Sequence, residues 1–285
     1  MESEESKGVR WCISIDGSDI SWQGFSTVLD NLRKDDDYII VSHIYDDKKD
    51  YLAYNFKPDN VKQDCEAKLI GLHETKWCLV WVHKEKNMTV KEHITGVAEE
   101  YRSNILVLGF HGRKGPKEDP TLLGSNVDKI ALEPVCPVLI IKREEKRADK
   151  ESGGYRFLVC MDDRGKSVEA LQTTLNIMDI EKDELIVMHV KSASIDADKI
   201  ESTATGICDE ANAKYQFVLH QKEFNEGVGH AIADYINIDD TPYIDFVAIA
   251  NRGVPMSAFG SKDKHLGKVP KEVVMKSLAN ILLVA

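Results

Sequence analysis

The sequence lacks any apolar run long enough to cross a membrane. Of its 285 residues, 42% are hydrophobic and 30% are charged, but no uninterrupted apolar stretch approaches the roughly 20 residues that a transmembrane helix needs. The acidic start, residues 1–5, has no apolar segment of the kind found in secretory signals. We therefore expect a folded, cytoplasmic protein that does not associate with membranes.

Sequence signatures of several enzyme and metal-site classes are also absent. There is no Gly-x4-Gly-Lys-Ser/Thr phosphate loop, no Gly-x-Gly-x-x-Gly dinucleotide motif and no Gly-x-Ser-x-Gly nucleophile turn. The six cysteines are dispersed and form no Cys-x-x-Cys pair, which favours reduced, buried thiols over zinc ligands or disulfides. We assign no catalytic residue and no metal ligand.

The chain has fewer positively charged residues than negatively charged ones. It carries 37 Lys and Arg against 48 Asp and Glu, a formal net charge of −11. A surface of this sign repels nucleic acid and anionic lipid, so we expect neither as a partner. Small anions can still bind where basic residues cluster locally.

In the first half of the sequence, apolar runs of the length of a β-strand alternate with segments whose apolar residues recur at helical spacing. One helix is predicted from Phe25, Val28, Leu29 and Leu32, which would form one buried face. Strands are predicted at residues 11–15, 38–44, 77–82, 105–108 and 138–141, and further helices at 61–74, 94–101 and 127–132. This alternation predicts an α/β fold with a doubly wound parallel sheet.

The same pattern then repeats. Strands are predicted at residues 157–161, 185–190, 215–219, 246–250 and 281–284, and helices at 168–175, 194–214, 231–236 and 271–278. Asp162 follows Asp16 by 146 residues (162 − 16), and His189 follows His43 by the same interval (189 − 43). The sequence therefore predicts two copies of one domain, residues 1–144 and 155–285, joined by a charged, glycine-ended linker at 145–154.

Glycines and a carboxylate follow the strands of the first copy. Gly109 and Gly112 follow the fourth strand, and Gly124 precedes a helix for which Ser125 is the expected N-cap. Asp16 follows the first strand. Ligands of doubly wound sheets bind at these carboxyl ends, and a helix N-terminus favours phosphate.

These residues resemble the universal stress protein family, whose ATP-binding members carry Gly-x2-Gly-x9-Gly-Ser/Thr. This chain has Ile15-Asp16, His43-Ile44, Gly109-x2-Gly112 and Gly124-Ser125. The resemblance implies two Rossmann-like, adenine nucleotide alpha hydrolase-like domains with five-stranded parallel sheets in the order 3-2-1-4-5. It implies bound ATP or AMP, with or without Mg²⁺, and a role in stress response or signalling. We expect at most slow ATP hydrolysis. The implied contacts are Ile15, Asp16, Ile44, Gly109, Gly112, Gly124, Ser125 and Asn126.

The two copies depart from the family pattern to different degrees. In the first, eleven residues separate Gly112 from Gly124 instead of nine, and Arg113, Lys114 and Lys117 lie among them, where they could reach phosphate oxygens. In the second, Ala250 replaces the first glycine and Lys268 replaces the hydroxyl residue. We expect a weaker second site, whose contacts would be Asp162, Val190, Arg252, Gly253, Gly267 and Lys268.

Several alternatives stay open at this stage. Asp16 and Asp162 can simply close turns, His43 and His189 can be structural, and the fold can serve as a structural or protein-interaction subunit that has lost nucleotide binding. The resemblance also implies pairing of the last strands, here as an intrachain pseudo-dimer. A homodimer and other protein partners remain open.

Overall fold

The first unit is built around five parallel strands. This computed structural model describes residues 8–49, 51–115, 123–149, 153–192, 195–238, 243–251, 254–255 and 264–285. The strands of the first unit are β1 (Arg10–Ser14), β2 (Tyr38–Tyr45), β3 (Trp77–His83), β4 (Ile105–Gly109) and β5 (Val138–Ile141). The order is β3-β2-β1-β4-β5, with Cys12 opposite Ile40 on one side and opposite Leu106 on the other. The predicted strand order is confirmed.

The helices of this unit cover an apolar sheet. They are α1 (Asp19–Ser26), α2 (Pro58–Leu69), α3 (Val90–Glu100) and α4 (Ser125–Leu132). Strands β1, β2, β4 and β5 are buried over most of their length, as expected for a parallel sheet covered on both faces.

The second unit repeats the arrangement. Its parallel strands are β6 (Arg156–Cys160), β7 (Glu184–Val190), β8 (Tyr215–His220), β9 (Phe246–Ala250) and β12 (Asn280–Val284), in the order β8-β7-β6-β9-β12. Its helices are α5 (Gly165–Ile177), α6 (Ala197–Glu210), α7 (Val228–Asn237) and α8 (Lys268–Lys276). A two-residue antiparallel pair, β10 (Val254–Pro255) and β11 (Lys264–His265), was not predicted.

The chain divides into two compact units. The first contains the described residues up to Ile130 together with Pro134–Glu144, and the second contains Ala131–Glu133 and the described residues from Glu145 onward. Within the segment predicted as linker, Arg147 forms a two-pronged ion pair with the buried Asp183, whose second contact measures 2.8 Å. Part of this segment is therefore attached to the second unit.

The buried face predicted for the first helix was wrong at one residue, Leu29. Phe25, Val28 and Leu32 are buried, but Leu29 is only half-buried. The helix widens after Ser26 into a π-helical turn, Thr27–Leu32, in which the amide of Arg33 donates to the carbonyl of Val28 at 2.9 Å. The i→i+5 spacing rotates Leu29 away from the face that a regular helix would give it.

Two predicted helices are shorter than their sequence patterns. α2 ends at Leu69 rather than at Glu74. The next residue, Ile70, is 87% exposed, so its apolar side chain does not extend the buried face of the helix, and Gly71 follows it. α6 covers 197–210 instead of 194–214. Among the described residues, no helix is long and apolar enough to span a membrane.

Candidate functional site

A cavity of about 440 Å³ opens at the carboxyl edge of the first unit's sheet. Its volume lies within the range of small-molecule sites, roughly 300–1,000 Å³. The residues at the ends of β1, β2 and β4 line it, together with the start of α4. All eight contacts predicted for the first site lie in this lining: Ile15, Asp16, Ile44, Gly109, Gly112, Gly124, Ser125 and Asn126.

Asp16 joins the end of β1 to the glycine loop. Its Oδ1 accepts hydrogen bonds from the amide of Ser18 at 3.0 Å and from the Ser18 hydroxyl at 2.5 Å. Its Oδ2 accepts from the amide of Arg113 at 2.8 Å. The turn-closing interpretation of Asp16 is thus correct as far as it goes, but the same carboxylate also fixes the loop and faces the cavity.

The glycines allow the backbone to pass close to its neighbours. A Cβ on Gly112 would lie 2.9 Å from Asp16 Oδ2, and one on Gly109 would lie 2.8 Å from the Ile20 side chain. A Cβ on Gly124 would lie 3.3 Å from the carbonyl of Phe110, which accepts the Gly124 amide at 3.0 Å. Larger residues would therefore push these segments apart.

The start of α4 presents backbone amides to the cavity. The helix begins at Ser125, and its first regular bond runs from the Asp128 amide to the Gly124 carbonyl at 2.9 Å. The expectation that Ser125 is the N-cap was wrong, because Ser125 already belongs to the first turn and Gly124 precedes it. The amides of Ser125, Asn126 and Val127 come before that first bond, which is the arrangement that attracts anions at helix N-termini.

One wall of the cavity is apolar. Ile15 and Ile94 are almost fully buried, and Ile44 and Val90 are half-buried. Val90 and Ile94 belong to the first turns of α3 and were missed by the sequence reasoning. Only their position after a strand end could have indicated them, and their apolar character looks the same as that of core residues.

Cations outnumber carboxylates around the cavity. Lys49, Lys84, Arg113 and Lys114 line it, whereas the lining carboxylates are Asp16 and Asp46. Arg113 and Lys114 were predicted to reach a ligand here, but Lys49 and Lys84 were not, because they follow β2 and β3 and lie far from the glycine motif in sequence. In a chain of net charge −11, this surplus of positive charge favours an anionic ligand.

The strand histidine is structural, as expected. His43 is 1% exposed, and its Nδ1 donates to the carbonyl of Ile15 at 2.7 Å. Burial lowers its pKa below 6.5, although the bond to Ile15 opposes that shift. His43 therefore holds in place the backbone that precedes Asp16. His111 is half-buried in the cavity wall, with its ring 4.6 Å from that of Phe110.

The second unit repeats the turn but changes what surrounds it. Asp162 Oδ1 accepts from the amide of Arg164 at 3.0 Å, as Asp16 accepts from Ser18. The Arg164 side chain then lies 3.6 Å from Asp162 Oδ2, the oxygen whose counterpart in the first unit holds the glycine loop. Val190, the counterpart of Ile44, is 8% exposed. The carboxylate of the second unit thus forms an exposed ion pair with a neighbouring arginine.

The helix start of the second unit has fewer donors. Gly267 precedes α8, and its amide donates to the buried side chain of Asn251 at 3.1 Å. Pro270 is the third residue of α8 and has no N–H, where the first unit has Val127. Lys268 is exposed at the first position. The predicted contacts Arg252 and Gly253 lie outside the described residues, as does Lys117.

Comparisons with known proteins agree with this architecture. Residues 12–142 match the Universal stress protein family. The whole chain is similar to the structure of a universal stress protein from Archaeoglobus fulgidus, with a TM-score of 0.70 at 16% identity over 98% of each chain. A putative universal stress protein from Pseudomonas aeruginosa superposes with a TM-score of 0.61 at 11% identity, over 98% of this chain and 94% of its own. At these identities the structures establish the fold alone. No curated protein sequence matches.

Proposed function

We propose that this chain, whose first unit matches the universal stress protein family, is a tandem universal stress protein. In this proposal it binds ATP or AMP in the cavity of that unit and acts in stress response or signalling through the bound nucleotide. The observation that carries the proposal is the convergence of Asp16, the glycine turn and the start of α4 on one cavity of suitable volume. The family match to residues 12–142 supports it.

The phosphates would lie at the start of α4. Three backbone amides, those of Ser125, Asn126 and Val127, precede the first helical bond, and the helix dipole adds about 0.3–1 kcal/mol for an anion at such a position. Lys84 and Arg113 line the same cavity and supply charge-assisted contacts. If Mg²⁺ accompanies ATP, it would bind with these phosphates.

The nucleoside would lie between Asp16 and the apolar wall. Asp16 accepts three hydrogen bonds within the protein, and an ionised carboxylate offers roughly four acceptor sites. One site therefore remains for a ribose hydroxyl. Ile44, Val90 and Ile94 offer the adenine an apolar surface.

The second unit is proposed to bind nucleotide weakly at most. Arg164 forms an ion pair with Asp162, and Pro270 lacks one of the amides at the helix start. We propose that this unit keeps the fold mainly as a structural partner. The same observations support the alternative for the whole chain, an interaction protein without a ligand, if the first cavity also fails to bind.

Thermal unfolding with added nucleotide tests the proposal. ATP or AMP at 100 times its Kd is expected to stabilise the protein by about 2.7 kcal/mol and to raise Tm. Gly124→Val is expected to abolish the shift, because its side chain would press on the Phe110 carbonyl and fill the phosphate end of the cavity. Gly267→Val is the matched control in the second unit, where a Cβ meets Pro270 at an ordinary 3.4 Å.

A second variant protects against simple misfolding of Gly124→Val. Lys84→Met removes a half-buried lining cation, and it is expected to weaken binding without lowering Tm in the absence of nucleotide. No Tm shift of the wild-type protein at millimolar ATP and AMP would reject nucleotide binding and favour the interaction protein.

A further inference from the structure

Three metal-ligating side chains converge beside α7 in the second unit. His230 and Asp234 lie four residues apart in α7, a spacing that places side chains on one face of a helix, and Glu226 directly precedes the N-cap residue Gly227. One potential ligand atom from each lies within 4.8 Å of the other two. We propose that these residues form a binding site for a divalent transition-metal ion, with Zn²⁺ as the best match.

The geometry suits a tetrahedral ion. Zinc lies about 2.0–2.2 Å from nitrogen and oxygen ligands, so two ligands of one tetrahedron are about 3.3 Å apart. His230 Nε2 lies 3.2 Å from Asp234 Oδ2, which is already that separation. One imidazole and two carboxylates, with a fourth position for water, favour zinc over Mg²⁺ or Ca²⁺, which prefer oxygen ligands alone.

The site is both accessible and partly preformed. The side chains of His230 and Asp234 are 45% and 49% exposed, so an ion can reach them from solvent. Glu226 Oε2 accepts the amide of Glu223 at 2.8 Å, which orients that carboxylate before an ion arrives. Glu272 of α8 adds negative charge at the same end of α7, and its Oε2 is buried without a hydrogen-bond partner.

Lys276 opposes the ion. Its Nζ lies 2.9 Å from His230 Nδ1, and because an ammonium only donates, Nδ1 accepts and Nε2 carries the proton in the ion-free protein. A metal on Nε2 requires the proton on Nδ1 instead, so Lys276 must rotate away into solvent. Metal affinity is therefore expected to rise when this lysine is removed.

The fold itself does not require these residues. Counting from the N-caps of the corresponding helices, Gly227 and Thr89, the offset is 138 (227 − 89). The matching residues of the first unit are then Met88, Glu92 and Gly96, which include one potential ligand. The three-ligand set is therefore a property of the second unit alone.

Calorimetric titration of the full chain with ZnCl₂ under reducing conditions tests the site. We expect one ion per chain, with affinity lowered at least tenfold in His230→Ala and in Glu226→Gln, because loss of a ligand exceeds the 10–100-fold effect of an outer partner. Lys276→Met is expected to tighten binding. His83→Ala is the matched control, since it removes an exposed histidine that pairs with the carboxylate of Asp47 at 3.1 Å.

The absorption spectrum of the cobalt-substituted protein checks the ligand type. Nitrogen and oxygen ligands are expected to give weak visible bands without intense sulfur-to-metal absorption. The proposal is overturned if wild-type protein shows no saturable binding, if His230→Ala binds as the wild type does, or if thiolate absorption places the ion on cysteine.

Discussion

A pair of buried histidines fixes the strand ends of both units. His43 Nδ1 donates to the carbonyl of Ile15, and His189 Nδ1 makes the same bond to Met161 at 2.9 Å. In each ring the other nitrogen, Nε2, is buried without a hydrogen-bond partner. A neutral ring tolerates this arrangement, whereas a second proton would leave a buried, unpaired donor. His43, whose pKa is lowered by burial, therefore stabilises the fold in its neutral form.

The lowered pKa of His43 predicts a pH-dependent stability. Below about pH 6.5 the unfolded chain binds a proton that the folded chain resists, so the free energy of unfolding falls as pH falls, by at most about 1.4 kcal/mol per pH unit. His43→Asn keeps a donor for Ile15 but cannot titrate. In urea unfolding at pH 7.5, 6.5 and 5.5, the free energy of unfolding of the wild type, relative to that of His43→Asn, is expected to fall as the pH is lowered. A constant difference would refute this account of His43.

Among the helices, α3 shows how a local signal sets a boundary. Thr89 accepts the amide of Glu92 at 3.2 Å, and the Glu92 carboxylate accepts the amide of Thr89 at 2.6 Å. This capping box starts the helix at Val90, four residues before the predicted start at Ile94. The prediction relied on apolar periodicity, which begins later than the helix. The earlier start matters because it places Val90 in the cavity wall.

Removal of the cap is expected to destabilise the protein. Thr89→Ala loses the bond to the Glu92 amide, and N-cap replacements of this kind cost about 1 kcal/mol. Thr95→Ala is the matched control in the same helix, because its hydroxyl donates to carbonyls of the preceding turn, Lys91 at 3.1 Å and Glu92 at 3.3 Å, and alanine is the better helix former. Urea unfolding should show a clear loss for Thr89→Ala and little change for Thr95→Ala. Equal losses would argue against the cap as the cause.

At the scale of the whole molecule, one fold occurs twice with different sites. The strand order is the same in both units, and the turn at Asp16 recurs at Asp162. In the first unit, glycines and cations lie around the turn. In the second, the carboxylate forms an ion pair with Arg164, and the first turn of α8 contains a proline. Pairing of the two last strands within one chain, and any homodimer, stay predictions.

This asymmetry predicts the binding stoichiometry. Isothermal titration with ATP or AMP is expected to give one tight site per chain, because among the described residues the first unit alone combines a carboxylate bonded to the glycine loop with three amides ahead of the first helical bond. Lys268→Ser, which restores the hydroxyl residue in the second unit, is expected to leave the stoichiometry at one nucleotide per chain, since Arg164 and Pro270 remain. Two equivalent sites in the wild-type protein would contradict the proposed difference between the units.

The sequence by itself determined the alternation of strands and helices, the duplication and the position of Asp16 and the glycines. Each of these depends on short-range periodicity or on a residue type at a strand end, which neighbouring residues suffice to specify. Only the tertiary structure brought Lys49, Lys84, Val90 and Ile94 to the same cavity, because segments far apart in sequence meet only when parallel strands align. It also decided that the Arg164 side chain lies beside Asp162, since a spacing of two residues along the chain does not by itself specify that contact.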